Sequence, residues 1–92
     1  MSIFVILPQN EPAQLALPAV IERAFPNAHR RLPNHVWLVA GKGSAQDISN
    51  QLGITAKDGP GTAVVFEVAS YYGRASKDIW DWVKAKWEAT DG

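Results

Sequence analysis

Two short segments of the chain combine glycine, a basic residue and serine, which are residue types that suit anion binding. They are Gly41-Lys42-Gly43-Ser44 and Gly73-Arg74-Ala75-Ser76. Each follows an apolar run and precedes a helical pattern, so each is predicted to place its serine at the start of a helix. Free backbone N–H groups and the helix dipole favour an anion there. The sequence therefore predicts a candidate phosphate or carboxylate site, built from Lys42, Gly43, Ser44, Tyr72, Gly73, Arg74 and Ser76.

The same two segments also have a purely structural interpretation, which we favour. Glycine makes tight turns, and serine caps a helix by accepting a hydrogen bond from a backbone N–H group. Asp47 lies three residues after Ser44 and so predicts a near capping box, with Asp in place of the preferred Glu. In this interpretation Lys42 and Arg74 are solvated. Neither segment matches Gly-x-x-x-x-Gly-Lys-Ser/Thr, the pattern of nucleotide-binding loops.

Two adjacent tyrosines, Tyr71 and Tyr72, precede the second glycine segment. Neighbouring side chains in an extended or turning backbone cannot both point into the core, so one of the two is predicted to be exposed near Arg74. Exposed tyrosine beside arginine is typical of protein interfaces. The alternative is that one tyrosine packs inward and the other is an isolated surface residue.

Three of the four tryptophans lie in the last predicted helix, residues 77–89, and are Trp80, Trp82 and Trp87. With Ile79 and Val83 they form an apolar arc of roughly 160°. They either seal a sheet face within one chain or form an interface with a second copy or a small protein partner. Since this arc is wider than one packing surface needs, Trp82 is the strongest interface candidate. The predicted interface residues are Tyr71, Trp80, Trp82 and Trp87.

The sequence gives little support for disulfide, metal or catalytic chemistry. The chain has no cysteine, which removes disulfides, thiolate nucleophiles and cysteine metal sites. His29 and His35 flank a Pro33-Asn34 turn without a third ligand nearby in sequence, so no metal is predicted. Glu67 has no visible histidine or nucleophile as a partner. No catalytic residue and no cofactor are predicted, and a non-enzymatic function is favoured over catalysis.

The length and composition of the chain limit its domain organisation, its partners and its location. The chain has 92 residues and a formal net charge of zero, which predicts a single domain, residues 1–92, and argues against nucleic acid and anionic membranes as partners. Absence of cysteine favours an intracellular, cytoplasmic location. The N-terminal apolar run ends at Pro8 and is not read as a signal peptide. No run approaches the roughly 18 apolar residues that span a membrane.

The pattern of apolar residues and breakers predicts seven elements in the order β-α-β-β-α-β-α. Ile3–Leu7 is apolar on both faces and therefore reads as a central strand. In the last strand, residues 62–70, Val64, Phe66 and Val68 share one face, and Glu67 makes the other face partly wet. The other predicted elements are a helix at 17–25, a hairpin of strands at 29–32 and 35–40, a helix at 44–52 and the helix at 77–89.

The first six elements resemble the ferredoxin-like split β-α-β order. This resemblance implies an α+β fold with a four-stranded antiparallel sheet of order 4-1-3-2, to which the tryptophan-rich C-terminal helix is added. Two helices then cover one sheet face, and the last helix or a second subunit covers the other. The third and fourth strands run parallel, so the two glycine segments are expected at the same end of the sheet, about 10 Å apart.

Two functions follow as expectations. The first is a small interaction module that associates with itself or with a protein partner through the C-terminal helix and the segment Tyr71-Tyr72-Gly73-Arg74. The alternative is a domain that binds a small anion between the two predicted helix N-termini.

Overall fold

A computed structural model describes residues 2–9, 16–55 and 62–91 of the chain. These residues form a small α+β fold with a four-stranded antiparallel sheet and a C-terminal helix, which confirms the predicted class. The elements are β1 (Ser2–Pro8), α1 (Leu17–Ala24), β2 (His29–Leu32), β3 (Val36–Gly41), α2 (Ala45–Leu52), β4 (Ala63–Glu67) and α3 (Lys77–Asp91), with a 3₁₀ turn at Pro33–His35 between β2 and β3.

Strand β1 lies inside the sheet, whose order is β2-β3-β1-β4. Phe4 of β1 pairs with Val39 of β3 on one side and with Glu67 of β4 on the other. The interior place of β1 agrees with its apolar residues on both faces, because an interior strand with helices on both sides has no wet face. Strands β2 and β4 form the two edges.

The main core lies between the sheet and helices α1 and α2. Phe4 and Ile6 point to this side and are fully buried. Helix α1 begins with a proline in its first turn, where the missing N–H group costs no hydrogen bond. The core is completed by side chains at helical or alternating spacing, namely Leu17, Ile21, Phe25, Trp37, Val39, Ile48 and Leu52.

Helix α3 packs on the opposite side of the sheet. Ile3, Leu38 and Val83 are buried there, and the three tryptophans of α3 are half-buried against them. Two polar contacts fix the helix near β2: Asp78 pairs with Arg30, and the Lys86 Nζ donates to the Asn27 carbonyl at 2.9 Å. None of the helices in the described residues is long and apolar enough to cross a membrane.

Because α3 lies over β1 and β2, it leaves the β4 side of this face open. Val64 and Phe66 pair with Leu7 and Val5 and point to the α3 side, where they are 40% and 55% exposed. Ala63 and Val65 instead pack against the main core. The Glu67 face is partly exposed, as predicted, since Ala63 and Val65 are half-buried and Glu67 is exposed. The opposite face of β4 is nevertheless more open, because α1 and α2 cover the Glu67 face and α3 lies over β1 and β2.

Candidate interaction surface

The first glycine segment forms a complete capping box at the start of α2. The Ser44 Oγ accepts from the Asp47 backbone N–H at 3.2 Å, and Asp47 Oδ2 accepts from the Ser44 backbone N–H at 2.8 Å. The Ser44 hydroxyl also donates to Asp47 Oδ2 at 3.1 Å. The hydrogen bonds that Ser44 donates lower the pKa of Asp47, and the bond from the backbone N–H has the larger effect. The chain thus places its own carboxylate at this helix N-terminus, where the negative charge opposes the binding of a further anion.

Gly43 is required by the same arrangement. Its φ of +100° lies in the left-handed region, and a Cβ atom there would approach Asp47 Oδ2 to 2.4 Å. The glycine is explained by backbone geometry and by the close approach of Asp47. Lys42, beside it, is exposed.

The second glycine segment follows a different path from the predicted one. Strand β4 ends at Glu67 instead of Ser70, and Val68 keeps one ladder bond, from its N–H to the Ile3 carbonyl at 2.8 Å. The chain then runs along α3 before entering it. The ring of Tyr71 lies between two tryptophans of that helix, with centroid distances of 5.9 Å to Trp80 and 5.1 Å to Trp87.

The two glycine segments do not come together. Arg74 and Ser76 line a cavity with Asn34, which precedes β3, whereas Lys42 and Ser44 follow the end of β3. Helix α3 runs antiparallel to β2, since its early residue Asp78 meets Arg30 and its later residue Lys86 meets Asn27. The return of residues 68–76 along α3 carries the second segment to the opposite end of the sheet. The geometry therefore differs from the expected separation of about 10 Å between neighbouring helix N-termini.

The cavity between α3 and the sheet has a volume of about 750 Å³, and we call it the α3 groove. Its floor is formed by Ile3, Val5 and Leu38, and α3 contributes Trp80 and Val83 to its wall. Tyr71, Tyr72, Arg74 and Ser76 border it on the side of the segment that precedes α3. The groove is lined mainly by apolar side chains, so its chemistry suits an apolar partner surface.

Among the described residues, four large apolar or aromatic side chains are exposed, and we call them the open apolar surface: Val64 and Phe66 on β4, and Tyr71 and Tyr72 in the segment before α3. Tyr72 is fully exposed, at 102%, while Tyr71 is 40% exposed because one side of its ring packs on α3. Phe66 adjoins the groove through its partner Val5, which belongs to the floor. Exposed aromatic and β-branched side chains are typical of interaction surfaces.

The predicted interface residues divide into two groups. Trp80, Trp82 and Trp87 are half-buried on the α3 side of the sheet, and the Lys86 Nζ lies 6.0 Å from the Trp82 ring centroid. Tyr71 and Tyr72 retain exposed rings. The exposure of Val64 and Phe66 was not predicted from the sequence. Their alternation with Ala63 and Val65 indicated a shared face, but how far α3 would extend across that face could not be read from the sequence.

In the part of the chain that the structure describes, neither histidine belongs to a group that could hold a metal ion. His29 Nδ1 lies 2.6 Å from the Phe25 carbonyl, which only accepts, so this nitrogen is the donor. The His29 ring also lies 5.9 Å from Trp37, while His35 is exposed in the turn before β3. Across residues 2–9, 16–55 and 62–91, no group of His, Asp or Glu side chains is arranged to hold a metal ion.

Comparison with known proteins gives no match: neither a protein-family model, nor a curated protein, nor a solved structure corresponds to this chain. The surface is therefore interpreted from the chain's own residues. The main features of this surface are the α3 groove, the open apolar surface and the outer edge of β4, with which no other strand of the described residues pairs.

Proposed function

We propose that this chain is a small, non-catalytic interaction module of ferredoxin-like topology that binds a second copy of itself through the open apolar surface. The observation that carries the proposal is the exposure of Phe66 and Val64, at 55% and 40%, on the half of the sheet face that α3 leaves open. Side chains of this kind contribute most when an interface removes them from water. The strand order β2-β3-β1-β4, with its β-α-β-β-α-β-α succession, supports the proposed topology.

A second copy is a suitable partner for electrostatic and symmetry reasons. The chain carries nine basic and nine acidic residues, so two copies approach without net repulsion. Most soluble homo-oligomers are two-fold dimers in which the same patch faces itself. A patch made of valine, phenylalanine and tyrosine meets this requirement, because apolar side chains are complementary to their own kind. An intracellular, cytoplasmic location, supported by the absence of cysteine, forms part of the proposal.

The alternative function, binding of a phosphate or carboxylate by both glycine segments, receives no support from this geometry. The Asp47 carboxylate accepts from Ser44 at the N-terminus of α2, and its negative charge opposes a second anion there. Arg74 and Ser76 lie toward the opposite end of the sheet from Lys42 and Ser44. Each segment would have to act alone.

Sedimentation velocity on the wild type and two variants tests the proposal. Phe66→Thr removes the aromatic ring and Val64→Thr replaces one methyl group by a hydroxyl, and both variants keep a residue that favours β-strands. We expect the wild type to sediment as a species with twice the 10.1 kDa mass of one chain. Both variants should contain a larger fraction of monomer. Glu67→Gln is the matched control, since Glu67 lies on the same strand and points to the other face.

The control variant is expected to associate like the wild type. Circular dichroism establishes that all four proteins are folded. A wild type that stays monomeric up to millimolar concentration contradicts the proposal. Unchanged association of a folded Phe66→Thr variant would mean that the dimer forms through another surface, which also contradicts it.

A further inference from the structure

We infer that the second copy joins by pairing its β4 with β4 of the first, so that two four-stranded sheets become one continuous sheet across a two-fold axis. This inference rests on the proposed self-association and specifies how it occurs. It follows from the backbone of β4, which the proposed function does not use.

The free backbone groups of β4 belong to Ala63, Val65 and Glu67. The Gln9 N–H donates to the Thr62 carbonyl and the Val68 N–H donates to the Ile3 carbonyl, both at 2.8 Å. Bonded and non-bonded pairs alternate along an antiparallel ladder. In the observed register, Val64 and Phe66 therefore point their N–H and C=O groups toward β1. The groups of the three intervening residues point away from β1, and no backbone hydrogen bond joins them to the rest of the described chain.

The two edges of the sheet differ in protection. Strand β2 has the sequence His-Arg-Arg-Leu and is followed by Pro33, so charge and proline discourage pairing with another chain. Strand β4 has the sequence Ala-Val-Val-Phe-Glu, with one charge at its end and no proline. Residues that follow β4 turn toward α3, where Tyr71 contacts Trp80 and Trp87. An unprotected edge rich in β-branched and aromatic residues is a template for another strand.

The β4 sequence is complementary to itself in the antiparallel direction. A two-fold axis at Val65 places Val65 opposite Val65 of the second copy, Val64 opposite Phe66, and Ala63 opposite Glu67. In this register all three outward-pointing residues form bonded pairs and exchange both of their hydrogen bonds. The two Glu67 carboxylates stay at opposite ends of the joined strands. A register centred on Glu67 would instead place like charges opposite each other, which is unfavourable.

The same register accounts for the exposed side chains. Val64 of one copy and Phe66 of the other lie on the α3 side of the joined sheet as direct cross-strand neighbours. Aromatic and β-branched side chains stabilise such pairs. Both residues then lose exposed apolar surface, and the open apolar surfaces of the two copies become adjacent. Backbone pairing and apolar burial therefore act at one interface.

Amide hydrogen exchange followed by NMR at two protein concentrations tests this pairing. In the wild type, the amides of Ala63, Val65 and Glu67 should exchange about tenfold more slowly when nine-tenths of the protein is dimeric than when it is monomeric. The amides of Val64 and Phe66 serve as internal controls, because β1 already holds them in both states. Their exchange should change less with concentration.

Glu67→Pro provides an independent test on the same edge. Proline lacks the outward N–H group and places its ring where the second strand would lie, but it leaves every bond to β1 in place. We expect a folded monomer. Glu67→Thr is the matched control, since it keeps the N–H group and a residue suited to strands, and it should associate like the wild type.

The outcomes separate the two proposals. A wild type that is monomeric at all concentrations overturns both self-association and β4 pairing. A wild-type dimer whose outward amides exchange as fast as in the monomer overturns β4 pairing alone, as does a folded Glu67→Pro variant that dimerises normally. If Glu67→Pro does not fold, the exchange rates of the wild type decide the question by themselves.

Discussion

Phe66 pairs with Val5 across β4 and β1, and the two side chains lie on the same face of the sheet in different surroundings. Val5 packs against the cluster formed with α3, whereas Phe66 is 55% exposed. The boundary of the sheet area that α3 covers therefore lies between the paired strands β1 and β4. The functional account depends on this boundary, because it leaves an apolar strand at the edge of the sheet, where its side chains are exposed and no other strand of the described residues pairs with its outer side.

The adjacent tyrosines should respond differently to truncation. Tyr71→Ala removes ring contacts with Trp80 and Trp87 and should lower the free energy of unfolding by about 1 kcal/mol. Tyr72→Ala, at a fully exposed position, should change it by less than about 0.5 kcal/mol. Urea denaturation of the dilute protein, followed by tryptophan fluorescence, measures both. Equal losses for the two variants would show that Tyr71 does not hold its segment against α3.

The ion pair between Arg30 and Asp78 should anchor the start of α3. Asp78→Ala leaves the half-buried guanidinium, whose Nε has no hydrogen-bond partner among the described residues, without its carboxylate. We expect a loss of up to about 1 kcal/mol in the free energy of unfolding, reduced by added salt.

Asp81→Ala is the matched control on the same helix. Asp81 accepts from the Lys77 Nζ at 2.9 Å, but Lys77 is 89% exposed, so this variant should lose less stability than Asp78→Ala. Urea denaturation at low and high salt compares the two. A larger loss for Asp81→Ala would mean that the contact with β2 contributes nothing to holding α3.

The capping box of α2 should make a measurable contribution to stability. Ser44→Ala removes the acceptor for the Asp47 backbone N–H and should cost about 1 kcal/mol. Gln46→Ala, an exposed change in the first turn of the same helix, is the control and should stay within about 0.5 kcal/mol of the wild type. Thermal or urea denaturation measures the difference. A Ser44→Ala variant as stable as the control would contradict the cap.

The lowered pKa of Asp47 predicts a dependence of stability on pH. Its pKa in the folded protein is below the ordinary value of 3.8 because the Ser44 backbone N–H and hydroxyl donate to the carboxylate. A lowered folded pKa means that this contribution is present above 3.8 and is lost as the pH falls through the folded pKa. The stability difference between wild type and Asp47→Asn should therefore shrink in acid. A difference that stays constant from about pH 5 to about pH 2 would contradict this linkage.

Local rules accounted for much of the fold. The proline in the first turn of α1, the spacing of Ser44 and Asp47, and the two apolar faces of β1 each indicated an element from a few neighbouring residues. These features depend on backbone hydrogen bonding and on periodicity, which a sequence carries directly. The outcome was a correct class of fold and correct central placement of β1.

The candidate site could be predicted only in part, because its form depends on where α3 lies. Nothing local indicates that residues 68–76 return along the helix instead of entering it at once, and this path separates Arg74 from Lys42. The exposure of Phe66 is likewise a consequence of how far α3 extends across the sheet. The exposure of one of the two tyrosines could be predicted from their adjacency, whereas the position of β4 at the edge of the sheet required the strand order.

The most direct test of the account is the mass of the wild-type protein at sedimentation equilibrium over a range of concentrations. Self-association through the open apolar surface predicts a mass that rises with concentration to twice the 10.1 kDa of one chain and then levels off, because a two-fold interface closes on itself. A mass that remains at 10.1 kDa up to millimolar concentration would contradict it.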